Sequence, residues 1–396
     1  MAVSSTPRSV LLLIAGAKGA VGSTVAAAVA ALRHHPERVL PSLTSGGRFH
    51  DLIPPESLLV AGWDVSSKPL VDVIADNAIL PESTWKPYQQ ELQDIQIFDA
   101  PAAGTGIERQ IDRTVSDIQS LRTKYPEALP VLIDLLPAAP CINPADCRTI
   151  EQLYAAVDPK AFRDLAYVLA AIEAGIPVVN FSPNAVEFPP VVDKATANGV
   201  PLAGRDGKTG QTYLKVVLAS ALSARRLYID GWYSLNILGN ADGANLMDPH
   251  CAEGKLTNKT DLLDDILGYS VGERYGESAH QVRIDYYPPR GDAKEAWDVI
   301  DFKGLFGMPM SLRINLQGRD SILAAPMVID LARWSAVLQL TGYSGPVPEL
   351  GFFFKKPVGD SPPVSYDEQI RALKSLEQSC LEKLEGMRGR DLKFEI

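Results

Sequence analysis

The chain contains little cysteine or histidine, and neither is arranged as a metal site or a disulfide framework. Its 396 residues include four cysteines, at positions 141, 147, 251 and 380, and five histidines. The cysteines show no metal-ligand spacing, and their small number is typical of a reducing cytoplasm rather than of a disulfide-rich secreted domain. We therefore expect a cytoplasmic protein, and leave its metal content open.

An excess of positive charge and a long apolar run are also missing. The formal net charge is −10, whereas recognition of a nucleic-acid backbone needs basic surface. The apolar runs are shorter than the roughly 18 to 20 residues of a membrane-spanning helix. Residues 8–17 resemble a short signal peptide, but a strand, turn and helix explain more of this region. We expect neither a nucleic-acid partner nor a membrane partner.

Near the N-terminus, an apolar stretch is followed by three regularly spaced glycines and an alanine-rich stretch. Residues 10–15 predict a buried strand and residues 25–32 a helix. Bare backbone in the turn between them would let a pyrophosphate approach the amides at the helix N-terminus, which predicts dinucleotide binding. The spacing is looser than the usual fingerprint, so a purely structural turn is an alternative. The cofactor-binding candidates here are Gly16, Gly19, Ala20, Val21 and Gly22.

Carboxylates follow two further predicted strands. One strand ends near Asp64, whose carboxylate can accept hydrogen bonds from ribose hydroxyls and so favours NAD over NADP. Residues 131–135 and 176–181 predict buried strands with a helix at 159–174 between them, an alternation typical of a parallel, doubly wound sheet. Asp134 ends one of these strands, where ligands bind in open sheets, although ordinary turn chemistry is an equal alternative.

A candidate anion site lies in the middle of the chain. Residues 204–212 are rich in glycine and hydroxyl side chains and precede an apolar helical stretch at 213–222. Small residues at a helix start expose backbone amides, and a lysine there adds positive charge, although a plain capped helix is the alternative. The phosphate-binding candidates are Lys208, Thr209, Gly210, Gln211 and Thr212.

Two lysines four residues apart form a further candidate site. Lys255 and Lys259 would lie on one face of a helix, where like charges repel unless an anion lies between them. A phosphorylated sugar is a natural ligand, and a solvated lysine face is the alternative. Just before them, residues 234–243 predict a strand that runs into a loop dense with amide and carboxylate groups, which could equally be a turn.

Together these segments resemble the myo-inositol-1-phosphate synthase family over roughly residues 180–357, with weaker similarity at the N-terminus. The motifs lie at residues 206–212, 236–243, 255–259, 291–294, 320–326 and 352–357. They are similar to the family's Gly-Gln-Thr phosphate loop, its Leu-Gly-Asn segment, its paired lysines, its Gly-Asp-x-Lys and Asp-Ser elements, and its last catalytic lysine. The glycine turn differs from the family's glycine loop, because the asparagines that are common in the family are missing here. The chain looks like a compact prokaryotic form.

The resemblance implies roles for residues in these motifs. The catalytic set around the sugar oxygens would be Lys255, Lys259, Lys294 and Lys355. Further cofactor-binding residues near the nicotinamide would be Asp206, Asn240, Asp242, Asp320 and Ser321. Lys355 and Lys356 are adjacent, and the spacing to the following proline favours Lys355. A divalent or monovalent cation is left open, because some of these aspartates could hold one or merely order the nicotinamide.

The activity that the resemblance implies is that of an NAD-dependent isomerase of the intramolecular lyase class. It would convert D-glucose 6-phosphate to 1D-myo-inositol 3-phosphate, the first step of inositol biosynthesis, by oxidation, enolisation, aldol cyclisation and reduction. The cofactor would be recycled within the turnover, and the family's homotetramer would be the assembly. Two alternatives stay open: a paralogous NAD-dependent cyclase or dehydrogenase for another phosphosugar, and a non-catalytic NAD-binding regulator.

Length and the positions of the motifs together predict two domains. The chain of 396 residues exceeds a usual single core, and 46% hydrophobic residues are enough to bury two. We expect a dinucleotide-binding domain at 1–211, an inserted catalytic and oligomerisation domain at 212–331, and a C-terminal segment at 332–396 that returns to the first. The predicted fold class is α/β, a Rossmann-like doubly wound parallel sheet with an inserted α+β domain.

Overall fold

The structure is a computed structural model that describes residues 9–35, 52–139, 147–158, 160, 162–240, 243–244, 247 and 262–391. Its strands are β1 Ser9–Ala15, β2 Leu58–Asp64, β3 Ile97–Asp99, β4 Ala128–Asp134, β5 Val178–Asn180, β6 Pro201–Gly204, β7 Tyr228–Leu238, β8 His280–Tyr286, β9 Ala293–Lys303, β10 Pro309–Arg319 and β11 Gly345–Pro346. Its named helices are α1 Ala20–His34, α2 Leu70–Asn77, α3 Glu82–Trp85, α4 Gln89–Asp94, α5 Ile107–Lys124, α6 Ile150–Ala156, α7 Asp164–Glu173, α8 Pro189–Ala197, α9 Gln211–Ala224, α10 Asp320–Leu340 and α11 Tyr366–Asp391.

Seven strands form one sheet in the order β11-β6-β5-β4-β1-β2-β3. All of their pairings are parallel. The chain winds outward from β1 in one direction through β2 and β3, and then in the other direction through β4, β5 and β6. This order creates a topological switch point between β1 and β4, where open parallel sheets bind their ligands.

The sequence of β1 explains why the sheet is covered on both faces. Its apolar side chains are buried alternately in two clusters. Val10, Leu12 and Ile14 pack in the cluster that contains α1 and α10, whereas Leu11 and Leu13 pack in the cluster that contains α5 and α7. A strand that is apolar on both faces is typical of a parallel sheet with helices on either side. The predicted doubly wound parallel sheet is confirmed.

A second sheet has the order β10-β9-β7-β8. β9 pairs antiparallel with both β10 and β7, and β8 pairs parallel with β7. Trp232 and Ile300 on its inner face pack with Ala219 of α9. This sheet draws on residues 228–319, which fall between β6 and β11 of the first sheet. In sequence, the segment that forms the second sheet is therefore an insertion between two strands of the first sheet. The predicted domain boundaries near residues 211 and 331 stay predictions.

One helix in the described part of the chain, α10, is long and apolar enough by length and composition to cross a membrane. The apolar runs of the sequence predict no such segment. Within the fold, 78% of its most apolar window is buried. It also places Asp330 and Arg333, both 0% exposed, in the interior. A helix packed on several sides by a protein core must be apolar on most of its surface, and that requirement accounts for its composition.

Candidate active site

The candidate site lies along the edge of the parallel sheet where its strands end. Backbone hydrogen bonds join the strand ends there: Leu135 N donates to Ala15 O at 3.0 Å, and Phe181 N to Asp134 O at 3.0 Å. Asp206 N then donates to Ser182 O at 2.9 Å. This run of bonds connects the glycine turn after β1 with the segment 206–212 after β6. The glycine turn and the 206–212 segment therefore lie on one continuous edge of the sheet.

The glycine turn is shaped by close backbone contacts. Gly16 has a φ of +84°, in the left-handed region that favours glycine. A Cβ atom on Gly22 would lie 2.6 Å from Gly16 O and 2.7 Å from Ala17 O. Gly16 N and Ala17 N donate to Trp63 O at 3.0 and 3.1 Å, so the turn is fixed to β2. Two of the three glycines are thus required by the geometry of the turn.

The N-terminus of α1 is directed toward this turn and lacks a side-chain cap among the described residues. The residue before the helix is Gly19, and the first turn carries no acidic side chain. The amide hydrogens of a helix start, with the positive end of the helix dipole, form a binding site for an anion. The backbone of Ala20 and Val21 belongs to this first turn.

Asp64 is held beside the glycine turn by two backbone amides. Lys18 N donates to its Oδ2 at 2.7 Å, and Ser66 N donates to its Oδ1 at 2.9 Å. The carboxylate is partly exposed, and each ionised oxygen can accept more than one hydrogen bond. Its position at the end of β2 would therefore allow it to accept hydrogen bonds from ribose hydroxyls as well.

Asp134 lies below the surface of the same edge. Its side chain is 0% exposed, and Leu136 N donates to its Oδ1 at 3.0 Å. Burial, and then the neighbouring Asp164, raises the pKa of the Asp134 carboxyl well above its usual range. In this structure the side chain supports the turn after β4 from within the core. Its predicted contact with a cofactor stays a prediction.

The 206–212 segment is joined to the chain after α10 by backbone hydrogen bonds. Lys208 N donates to Phe353 O at 2.8 Å, and Lys355 N donates to Asp206 O at 2.8 Å. The side chains of the second pair also meet, with Lys355 Nζ 2.6 Å from Asp206 Oδ1. Both side chains are largely shielded, at 11% and 5% exposure. Residues 149 positions apart in sequence thus form one ion pair.

A second ion pair lies where α9 and α10 begin. Lys294 Nζ is 3.0 Å from Asp320 Oδ2, and Thr209 Oγ1 donates to Asp320 Oδ1 at 3.2 Å. Asp320 is the first residue of α10, and α9 starts two residues after Thr209. The next residue, Ser321, donates from Oγ to Asp292 Oδ1 at 3.0 Å. Three of the predicted residues, from three separate motifs, are therefore in direct contact.

The start of α9 has the properties expected of an anion site. Gly210 precedes the helix, no side chain of the described residues caps it, and its first turn has no acidic residue. Gln211 and Thr212 are each 4% exposed. Their backbone amides, rather than long side chains, are the groups that a helix start offers to a phosphate.

Lys208 is placed differently from the other predicted phosphate residues. It is 2% exposed, and its Nζ donates to Gly351 O at 3.0 Å and to Gln369 Oε1 at 2.8 Å. Burial, with a smaller effect from Lys355, lowers the pKa of Lys208 to about 7. The side chain thus joins the 206–212 segment to α11 from behind, and its predicted contact with a phosphate remains a prediction.

Part of the predicted site lies outside the described residues, namely Asp242, Lys255 and Lys259. Asn240 is described, and its Oδ1 accepts a hydrogen bond from Gly243 N at 3.1 Å. Among the residues that the structure describes, no group of three or more His, Cys, Asp or Glu side chains could hold a metal ion. The cation that the sequence left open stays open.

One buried amide was not singled out from the sequence. Asn236 on β7 is 0% exposed, and neither Oδ1 nor Nδ2 has a partner among the described residues. It pairs in register with Ala296, two positions from Lys294 on the same face of the sheet. Buried amides rarely lack partners, so Asn236 is a candidate ligand group. Asn236 is the first residue of the 236–243 motif, but only its burial, which the sequence does not report, distinguishes it from the other residues of that motif.

Comparisons with known sequences agree with the geometry. The model of the family described as myo-inositol-1-phosphate synthase matches residues 210–321. Inositol-3-phosphate synthase 1 of Bacteroides thetaiotaomicron is 42% identical over 198 residues, or 50% of this chain and 46% of the relative. Isozyme 1 of Arabidopsis thaliana is 29% identical over 316 residues, or 72% and 60%. The chain spans about half to three fifths of the length of these curated relatives.

Solved structures show the same fold. An inositol-3-phosphate synthase from Caenorhabditis elegans superposes with a TM-score of 0.81 at 19% identity, covering 95% of this chain and 86% of that one. A myo-inositol-1-phosphate synthase-related protein from Thermotoga maritima gives 0.75 at 22% identity, covering 94% and 98%. At these identities the structures support the fold, and the sequence matches support the relationship. The chain is similar in sequence to the myo-inositol-1-phosphate synthases, over residues 210–321 for the family model, and it shares the fold of their solved structures.

Proposed function

We propose that the protein is an inositol-3-phosphate synthase, which uses NAD to convert D-glucose 6-phosphate into 1D-myo-inositol 3-phosphate. The observation that carries this proposal is the pair of lysine–carboxylate contacts around the start of α9. Lys294 contacts Asp320, which also binds Thr209, and Lys355 contacts Asp206. A sugar phosphate that cyclises needs a phosphate site beside groups that stabilise negative oxygen, and this arrangement offers both.

The residues at the glycine turn fit NAD. A side chain at Gly22 would collide with backbone oxygens, so the turn leaves the start of α1 uncovered for a pyrophosphate. Gly16, Gly19, Ala20, Val21 and Gly22 would hold it. Asp64 would accept the ribose hydroxyls, and its negative charge would disfavour the additional phosphate of NADP.

When bound at the glycine turn, NAD would supply a reversible hydride acceptor for carbon 5 of the open-chain sugar, with no net redox change over the turnover. The protein's own residues act on the charge that develops during the turnover. A ketone at carbon 5 acidifies the proton on carbon 6, and its loss gives an enolate that attacks the aldehyde at carbon 1. Fixed ammonium groups stabilise the negative oxygens of these steps. We assign this role to Lys294 and Lys355, with Lys255 and Lys259 from outside the described residues.

The carboxylate partners of the two described lysines have a role of their own. Each ion pair holds an ammonium nitrogen in place before substrate binds, so little reorganisation is needed during reaction. Side-chain exposures of 16% for Lys294 and 11% for Lys355 keep water away and strengthen their fields. Asp320 also connects Lys294 to Thr209. The phosphate position and one catalytic ammonium are therefore fixed to each other.

We also propose that the protein is a cytoplasmic homotetramer and that residues 212–331 contribute to the assembly. The outward face of the four-stranded sheet supports this, since Tyr233 and Trp297 on it are 41% and 46% exposed. Aromatic side chains are enriched at protein–protein interfaces. Native mass spectrometry tests the stoichiometry. A monomer at micromolar concentration would contradict the assembly while leaving the chemistry untouched.

The function is tested by incubating purified protein with glucose 6-phosphate and NAD, then measuring inositol phosphate and NADH separately. The proposal expects inositol 3-phosphate without net NADH. Net NADH would instead indicate a dehydrogenase, and a carbocycle formed only from another sugar phosphate would indicate a paralogous cyclase. Binding of NAD without turnover of any phosphosugar would indicate a regulator. Each of these results would overturn the proposed activity.

A further inference from the structure

A buried carboxylate, Asp298, lies behind the start of α9 and has no part in the chemistry described above. It is on the inner face of β9 and is 5% exposed. Its Oδ1 accepts hydrogen bonds from Trp232 Nε1 at 2.8 Å and from Ser234 Oγ at 2.5 Å. Its Oδ2 accepts from Gln211 Nε2 at 2.9 Å. One carboxylate therefore joins two strands of the inserted sheet to the first residue of α9.

A buried lysine supplies positive charge near this carboxylate. Lys215, one turn along α9 from Gln211, is 3% exposed, and its Nζ lies 2.6 Å from His280 Nε2. The ammonium also lies 5.5 Å from the centroid of the Trp232 ring. Burial lowers the pKa of Lys215 to about 8, while Asp298 opposes the shift. A buried, charged cluster joined by several hydrogen bonds has few alternative geometries.

The contact with Gln211 determines which group that residue can offer to a ligand. A carboxylate only accepts hydrogen bonds, so the amide of Gln211 must direct its NH2 toward Asp298. Its side chain is then committed to the protein interior, and Gln211 is 4% exposed. With the side chain turned inward, the backbone amide is the group that Gln211 presents to an anion at the helix start.

We propose that Asp298 is a positioning residue for the substrate: by holding the side chain of Gln211, it fixes the start of α9 so that the amides of residues 210–212 meet the phosphate. The inference rests on the proposed function for the identity of the phosphate. It also assigns Gln211 a backbone role, with its side chain acting as the connection to β9.

The contact between Gln211 and Asp298 is tested by exchanging which of the two side chains donates the hydrogen bond and which accepts it. Gln211→Glu places a carboxylate against Asp298, and the two repel each other. Asp298→Asn alone should have little effect, because the Gln211 amide can turn over and accept from the new NH2 group. The double variant Gln211→Glu with Asp298→Asn restores a donor–acceptor pair and keeps a negative charge near Lys215. The KM for glucose 6-phosphate and kcat are measured for all four proteins at saturating NAD.

The expected result is a split between the two kinetic constants. Gln211→Glu should raise KM about tenfold or more, the scale of losing a hydrogen bond to a charged group, and change kcat less. The double variant should return KM to within about threefold of the wild type, since the cycle isolates the pair. If the side chain of Gln211 touched the phosphate instead, Asp298→Asn could not rescue the loss. A double variant as weak as Gln211→Glu would therefore overturn the proposal.

A control variant, a fallback variant and a binding measurement complete the test. Asp117→Asn is the matched control, because Asp117 is also 5% exposed and accepts from a buried indole, Trp63 Nε1, at 3.0 Å. It should lower the melting temperature without changing KM. Should Gln211→Glu fail to fold, Asp298→Ala replaces it, and an unchanged KM there would overturn the proposal. Calorimetric binding of glucose 6-phosphate is measured as well, so that lack of turnover by the wild type would overturn the proposed function alone.

Discussion

The two ends of the proposed site are shaped by different groups, one by the backbone and the other by charged side chains. At the glycine turn, the geometry is set by backbone contacts: Gly16 at positive φ, and Gly22 with no space for a Cβ atom. At the 206–212 segment, it is set by charged side chains in two ion pairs, Lys355 with Asp206 and Lys294 with Asp320. We infer that the cofactor end depends on shape and the sugar end on charge, and the two should respond differently to substitution.

The largest effect is expected from Lys294→Ala at the charged end. Removing an ammonium group that stabilises a developing oxyanion should lower kcat about a thousandfold, while NAD affinity stays within about twofold of the wild type. The measurements are inositol phosphate formation and calorimetric NAD binding. Lys303→Ala is the control, because Lys303 lies on the same strand in an ion pair with Asp230 at 2.7 Å. A near-normal rate for Lys294→Ala would remove this residue from the catalytic set.

A neighbouring pair of lysines tests the same end of the site with a built-in control. Lys355→Ala should lower kcat about a hundredfold, since it removes a shielded ammonium group from the site. Lys356→Ala should change kcat less than about threefold, because the Asp206 contact belongs to Lys355. Both variants are assayed for turnover and for melting temperature. A larger loss of kcat from Lys356→Ala would reverse the assignment.

At the glycine turn, a single methyl group should act on cofactor binding rather than on chemistry. Gly22→Ala brings a Cβ atom to 2.6 Å from Gly16 O, and the resulting backbone shift should weaken NAD binding about tenfold, as overpacking typically costs 1–3 kcal/mol. With NAD at saturation, kcat should recover. Gly104→Ala is the control, since nothing lies within 4 Å of a Cβ atom there. A loss of kcat that saturating NAD does not restore would contradict the proposed division between shape and charge.

The sequence predicted the elements well where a local pattern was sufficient. The apolar run at 10–15, the glycines after it and the alanine-rich stretch became β1, the turn and α1. The predicted helix at 213–222 corresponds to α9, which begins two residues earlier at Gln211. The resemblance to one family also placed Lys294, Lys355, Thr209 and Asp320 in a common site, and the structure brings these residues together in two groups.

The sequence could not predict where side chains point when their partners are distant. The sequence pattern predicts that Lys208 adds charge to an anion site, whereas the partners of its Nζ, Gly351 and Gln369, are 143 and 161 positions away. Asp298 carried no motif of its own, and its contact with Gln211 spans 87 positions. The composition of α10 likewise reflects burial in a core that is assembled from the whole chain. The direction of such a side chain depends on the packing of distant segments, and the spacing of apolar residues along the sequence does not report that packing.

The inward placement of Lys208 predicts an effect of pH on stability rather than on turnover. Its pKa is about 7 in the folded protein, against a reference value of 10.5. Between these values the unfolded chain binds a proton that the folded protein has released, so the free energy of unfolding rises with pH. Below about pH 7 both states are protonated, and the full cost of burying the ammonium group is present.

Lys208→Met removes this titration, so the wild type should gain stability relative to the variant as pH rises from about 7 to 9, by at most about 1.4 kcal/mol per pH unit. Urea unfolding at several pH values measures the difference. Lys86→Met, at an exposed lysine, is the control, and its free energy of unfolding should change with pH as steeply as that of the wild type. A Lys208→Met slope equal to that of the wild type would mean that Lys208 keeps its proton. In that case Lys208 would belong with the charged, sugar-binding residues rather than with the core behind them.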